Sequence, residues 1–183
     1  MQIDKIKYND LSARKKEIFN FQKLASIFAD YGFNCIKLSD DWEGADFLAY
    51  QDLITLKVQL KSSIMISKKY LDKDLYMAFR IDDRDINSDW CLIKHDILVK
   101  IIKEKLNWLN TSSWIEKGIY RAGQVPKGIL LELEKYIINN KDDHKDDTGE
   151  YLLLSKVEVY TNYGEKFTSN TSMNFAKIPK GNN

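Results

Sequence analysis

Residues 44–61 read GADFLAYQDLITLKVQLK, and this stretch decides the fold. Its second half alternates strictly, with Leu56, Val58 and Leu60 on one side and Lys57, Gln59 and Lys61 on the other. A period of two places successive side chains on opposite faces of a strand, so 55–61 is expected to be a strand with one face in the core. Residues 46–50 (DFLAY) read as a second strand, and Gln51–Asp52 as the tight turn between them. In such a hairpin the start of one strand lies opposite the end of the other. Asp46 is therefore expected beside Gln59 and Lys61 at one end of a sheet.

Outward from the hairpin, Phe21, Leu24, Phe28 and Tyr31 recur at three- and four-residue steps, with Ile27 beside them. This is the apolar stripe of a helix over 12–31, capped by Ser12 or Asp10 and stopped by Gly32. A short strand is expected at 33–38 and a turn-rich acidic loop at 39–44 (SDDWEG). Two further strands, 75–79 and 90–93, flank the charged connection 80–89. Ile97, Leu98, Ile101 and Ile102 predict a helix over 95–106. Residues 107–125 are mixed, and Pro126 suits the first turn of a helix running to about Ile138. A charged loop at 139–149 and a weakly structured tail at 155–183, with one strand at 157–160, complete the chain. The expected organisation is an α/β core over 1–106, a helical extension over 107–154, and the tail. A Rossmann fold needs strand–helix alternation from the start and a GxGxxG loop, and the chain has neither.

Composition narrows the function. With 183 residues, 44% hydrophobic and 30% charged, the chain has the make-up of a folded domain rather than a disordered one. A net charge of +1 argues against coating nucleic acid by bulk charge, so any such affinity comes from local patches. Residues 57–73 hold five lysines (Lys57, Lys61, Lys68, Lys69, Lys73) against Asp72, a net +4. Residues 1–23 hold six basic residues against three acidic ones, a net +3, and residues 140–150 sum to −3. The two cysteines, Cys35 and Cys91, form no CxxC pair, and two histidines make no His-rich metal site. Reduced thiols, no apolar leader and no run of 18 apolar residues point to a cytoplasmic protein without a membrane partner.

An acid, a side-chain carbonyl and an ammonium at one point suit phosphodiester hydrolysis. The Asp46 carboxylate and the Gln59 carbonyl are oxygen donors of the kind Mg²⁺ takes. The cation polarises the phosphate and acidifies a bound water. Lys61 orients that water or meets the developing negative charge. Taken alone, Lys57, Gln59 and Lys61 also read as the wet face of a strand.

The helix, the strand, the Gly-x-Asp turn at Gly44–Asp46 and the Gln59-Leu60-Lys61 triplet come in an order that resembles the PD-(D/E)xK nuclease superfamily. The QxK form is similar to that of Mrr-type restriction enzymes, and the segment before it also resembles archaeal Holliday-junction resolvases. The resemblance spans roughly residues 12–95; the Pro that ordinarily precedes the Asp is Ala45 here. It implies a restriction-endonuclease-like αβββαβ sandwich with a mixed central sheet, and a DNA endonuclease that uses Mg²⁺, with Mn²⁺ as a substitute. Such enzymes often work as homodimers, and the aromatic-rich residues 107–125 are then a candidate interface or DNA-contacting element. It implies Asp46 and Gln59 as metal ligands, Lys61 as the catalytic lysine, and an outer acidic residue from the first helix. Glu17 or Gln22 fills that last position: Glu17 shares the apolar stripe, and Gln22 is better spaced from Gly32-Phe33. Lys57, Lys68, Lys69 and Lys73 are the candidate DNA contacts. The alternative is a non-catalytic nucleic-acid-binding or inhibitor protein on the same fold.

Other features are less decisive. Asp40, Asp41 and Glu43 either enlarge the metal site or form a solvated loop. His95 caps, packs or catalyses, and Trp108 and Trp114 pack in a core or stack on bases. The aspartates of 142–147 lack the spacing of an EF-hand loop.

Overall fold

The computed structural model describes residues 4–138. The expected charged loop at 139–149, the tail at 155–183 and its strand at 157–160 lie outside them. The chain divides into two units, Met1–Asn140 and Lys141–Asn183, and all the described residues belong to the first.

Helix α1 (Ala13–Asp30) begins at Ser12, whose hydroxyl accepts from the Lys15 backbone N–H, and stops at Gly32, where φ is +78°. Strands β1 (Asn34–Trp42), β2 (Ala45–Gln51) and β3 (Ile54–Leu60) follow as an antiparallel meander. After the short β4 (Met65–Ser67) come β5 (Tyr76–Arg80), β6 (Trp90–Lys94) and helix α2 (His95–Lys105). Helix α3 (Ser112–Lys117), strand β7 (Ile119–Arg121), helix α4 (Lys127–Leu133) and strand β8 (Ile137–Ile138) complete the described residues.

Six strands form one sheet in the order β1-β2-β3-β5-β6-β8, and β4 pairs with β7 in a separate ribbon. The β3–β5 pair is parallel and the rest are antiparallel, so the molecule is mixed α/β with a mixed sheet. The hairpin read from residues 44–61 is present, interior to the sheet, with Phe47 opposite Val58 and Ala49 opposite Leu56. Phe21 and Phe28 of α1 meet Phe47 edge-on at 5.3 and 5.8 Å, which seats α1 on that face of the meander. On the other side, Met77, Phe79, Cys91 and Ile93 share a core with Leu98, Ile102, Trp108, Trp114, Ile129 and Leu133. The two tryptophans are therefore core residues, and Trp108 lies against Tyr120 at 4.4 Å.

Four expectations need correction. Residues 39–42 continue β1 instead of looping, and the turn is confined to Glu43 and Gly44, both at positive φ (55° and 94°). Two such residues make the tight hairpin turn that matches strand twist; pairing with β2 runs from Asn34 to Lys37, passes an irregularity at 38–41, and resumes at Trp42 opposite Ala45. The second turn is Asp52–Leu53, one residue later than read, since Gln51 pairs with Ile54. The helix expected to reach Ile138 ends at Leu133, because a 3-10 turn over Glu134–Tyr136 leads into β8. The αβββαβ order places a helix between the third strand and its parallel neighbour. Here that crossover consists of β4 and a 3-10 turn, Lys68–Tyr70, and α2 comes only after β6.

Candidate active site

The end of the hairpin gathers the predicted triad. Asp46 sits one residue into β2 and Gln59 one residue before the end of β3, and the register, continued one step past Phe47–Val58, puts them directly opposite each other on one face. Gln59 Nε2 donates to Asp46 Oδ2, and the Leu60 backbone N–H donates to the same oxygen at 2.8 Å. Lys61 follows β3, held by its backbone N–H to the Ala78 carbonyl at 2.8 Å.

Burial sets the electrostatics. Asp46 is half-buried, and loss of solvation raises its carboxyl above the ordinary value against the opposing pull of Lys61 and the Leu60 N–H. Lys61, also half-buried, is lowered by desolvation and further by Lys69, while Asp46 works the other way. Each group is thus pushed toward its neutral form and is held charged by the other. A lysine displaced in this way is closer to the value that suits proton transfer near neutral pH.

Gln59 is not on a wet face. It is 3% exposed, because β4 and the 3-10 turn fold back over it and bring Tyr70 onto its carbonyl. Tyr70 Oη donates to Gln59 Oε1 at 2.7 Å. The oxygen expected to ligate a metal is therefore engaged, and the amide nitrogen faces Asp46.

Glu17 is exposed rather than core-facing, paired with Lys37 at 2.8 Å. The stripe through Phe21 and Phe28 runs past the edge of the core at its N-terminal turn. The charge of Glu17 nevertheless acts on both Asp46 and Lys61. Gln22, the other candidate from this helix, is exposed as well.

The candidate DNA lysines are engaged locally. Lys57 pairs with Glu43 at 2.6 Å, which holds that carboxyl below its ordinary value. Lys69 lies 3.7 Å from Asp41 and 4.6 Å over the Tyr70 ring. Lys68 donates to the Ile115 carbonyl at 3.0 Å, and the charge of Lys73 reaches Glu43. The extension of β1 and the turn after it bring Asp41 and Glu43 beside Lys69, Lys57 and Lys73. Asp41 also accepts from the Gly44 N–H at 2.6 Å. Asp40 accepts from its neighbour Ser39. His95 is fully buried, accepts the Ser67 N–H on Nε2 at 3.2 Å and meets the Tyr70 ring edge-on at 5.6 Å, which is a packing role.

Two members of the network around Asp46 escaped the sequence. The Leu60 donor is a backbone group, which has no letter. Tyr70 follows Lys68-Lys69, which read only as charge; the sole trace is a polar-tipped aromatic eleven residues after Gln59.

A divalent cation finds a minimal donor set here. Among the described residues no three His, Cys, Asp or Glu side chains cluster as a metal-holding group. Asp46 offers Oδ1, the oxygen that takes neither donor bond, as its charged ligand atom. Mg²⁺ commonly keeps several waters and takes one or two carboxylates plus phosphate oxygens, so this set fits it. Gln59 joins as a second ligand only by turning its amide over.

Compared with known proteins, the chain matches no family model, and no curated protein is significantly similar to it. Among the described residues no helix is long and apolar enough to cross a membrane.

Proposed function

We propose that the chain is a metal-dependent DNA endonuclease of restriction or junction-processing type, on a restriction-endonuclease-like variant of the mixed α/β fold. The observation that carries this reading is the convergence of Asp46, Gln59 and Lys61 at one end of the β2–β3 hairpin, with burial acting on both charged members. Asp46 would hold Mg²⁺ or Mn²⁺, which supplies phosphate polarisation and an acidified water. Gln59 and the Leu60 N–H fix the Asp46 carboxylate by two donors on one oxygen. Lys61, displaced toward neutrality, orients the attacking water or meets charge developing on the phosphate. Glu17 adds negative charge at the rim. Lys57, Lys68, Lys69 and Lys73 contact the DNA backbone after exchanging Glu43 and Asp41 for phosphate, and a homodimer would bring two sites to two strands. A cytoplasmic location suits such an enzyme.

The second reading is a nucleic-acid-binding or inhibitor protein that keeps the fold without the chemistry. Tyr70 seated on the Gln59 carbonyl favours it. Plasmid, single-stranded and branched DNA, each with Mg²⁺, Mn²⁺ or EDTA, separate the two. Cation-dependent cleavage supports the nuclease; DNA binding without cleavage under any cation supports the second reading.

A further inference from the structure

Tyr70 is 1% exposed and is held from three sides. Its ring meets the His95 imidazole at 5.6 Å, and Lys69 Nζ lies over it at 4.6 Å. On the third side is Gly44, where a Cβ would come within 2.9 Å of Tyr70 Cδ1. Gly44 therefore serves both its positive φ and the seat of this ring.

The polarity of the chain beyond the ring follows from donor chemistry. An ionised carboxylate only accepts, so Asp46 requires the nitrogen end of the Gln59 amide. That leaves Gln59 Oε1 pointing away, and only a donor satisfies it. Tyr70 O–H supplies that donor at 2.7 Å. A hydroxyl fixed by packing thus fixes an amide, the amide fixes Asp46 Oδ2, and Oδ1 is left to serve as the working oxygen.

We propose that Tyr70 is a positioning residue of this site, acting through Gln59 to set which oxygen of Asp46 is presented. The inference rests on the nuclease reading for its purpose, but its geometry is testable without cleavage. Tyr70→Phe keeps the ring and its packing and removes the hydroxyl, which donates to Gln59 Oε1 and also hydrogen-bonds Lys69, so the comparison of single and double variants isolates the part that runs through Gln59. Gln59 Oε1 then becomes a buried acceptor without a partner, which is costly enough to reorient the amide.

The test uses the full chain in three variants, Tyr70→Phe, Gln59→Ala and the double change, beside the wild type. The first readout is the Gln59 side-chain NH₂ signal in ¹⁵N-labelled protein without any cation, assigned by its loss in Gln59→Ala. It is expected to be dispersed and slow to exchange in the wild type, and to shift and exchange faster in Tyr70→Phe. The second is Mg²⁺ binding by calorimetry without DNA. Loss of one hydrogen bond's worth of ordering is expected to weaken it by about two- to tenfold in Tyr70→Phe, with no further loss when Tyr70→Phe is added to Gln59→Ala. An unchanged Gln59 signal in Tyr70→Phe overturns the proposal, as does an equal loss of affinity in both backgrounds. A wild type that binds no Mg²⁺ counts against the nuclease reading alone, and the NH₂ signal then decides the role of Tyr70.

Discussion

Asp46 Oδ2 receives the Leu60 backbone N–H at 2.8 Å, across the two strands of the hairpin. That oxygen also receives the Gln59 amide, so two donors fourteen and thirteen residues downstream hold one end of a half-buried carboxylate. The arrangement costs the folded protein stability and gives it a fixed anion.

The cost is measurable. Burial outweighs the helpful partners and raises the Asp46 carboxyl above its ordinary 3.8. The folded state therefore binds that proton more tightly than the unfolded chain. The group's contribution is complete below the ordinary value and is lost as pH rises through the folded value, so at pH 7 the charge destabilises. Asp46→Asn is expected to raise the melting temperature at pH 7, without divalent cations, by about 1–4 °C. The gain should vanish near pH 3. A lower melting temperature at both pH values would contradict this.

Gln59→Glu sets a second carboxylate against Asp46. Two carboxylates at close range resist joint ionisation, and a divalent cation relieves them. The variant should melt below the wild type without Mg²⁺ and show a larger rise in melting temperature when Mg²⁺ is added. Equal Mg²⁺-induced shifts in the two proteins would place the cation elsewhere.

His95 answers to acid. Burial lowers its imidazole below the ordinary 6.5, with Asp96 pulling the other way, and Nε2 must stay unprotonated to accept the Ser67 N–H. The stability from this bond is present above 6.5 and is lost as pH falls below it. Thermal denaturation between pH 8 and 5 should show that loss, and His95→Gln, which can still accept from Ser67, should flatten it. Parallel curves for the two proteins would refute the assignment.

The lysine cluster gives a salt-dependence test. Replacing Lys68, Lys69 and Lys73 by Ala should weaken DNA binding across all sequences. Each lost phosphate contact should reduce the slope of log affinity against log salt by about 0.9 for duplex DNA. Since Lys69 and Lys73 also answer to Asp41 and Glu43, the reduction should fall short of three full contacts. An unchanged slope would mean that the cluster does not touch the backbone.

The hairpin was legible because Leu56, Val58 and Leu60 alternate with polar residues, and α1 because Phe21, Leu24 and Phe28 recur at helical spacing. Asp46 and Gln59 met as the hairpin register requires. What escaped depends on partners remote in sequence. Residues 39–42 look like a loop by composition, but Trp42 pairs with Ala45 across a turn at positive φ, and the strand runs on to it through an irregularity after Lys37. Gln59 looks wet by alternation, yet Tyr70 returns over it through a 3-10 turn that no periodicity announces. Glu17 follows the helical stripe correctly, but the stripe outruns the core.

The nuclease reading stands or falls on the rate of Mg²⁺-dependent DNA cleavage by the wild type, Asp46→Asn and Lys61→Ala, on the DNA form that the wild type cuts fastest. Cleavage should fall by orders of magnitude in both variants. Mg²⁺ affinity should fall in Asp46→Asn and stay near wild type in Lys61→Ala, because an ammonium offers no acceptor oxygen. Cleavage at the wild-type rate by Asp46→Asn, or no cleavage of any DNA by the wild type with either Mg²⁺ or Mn²⁺, would contradict it.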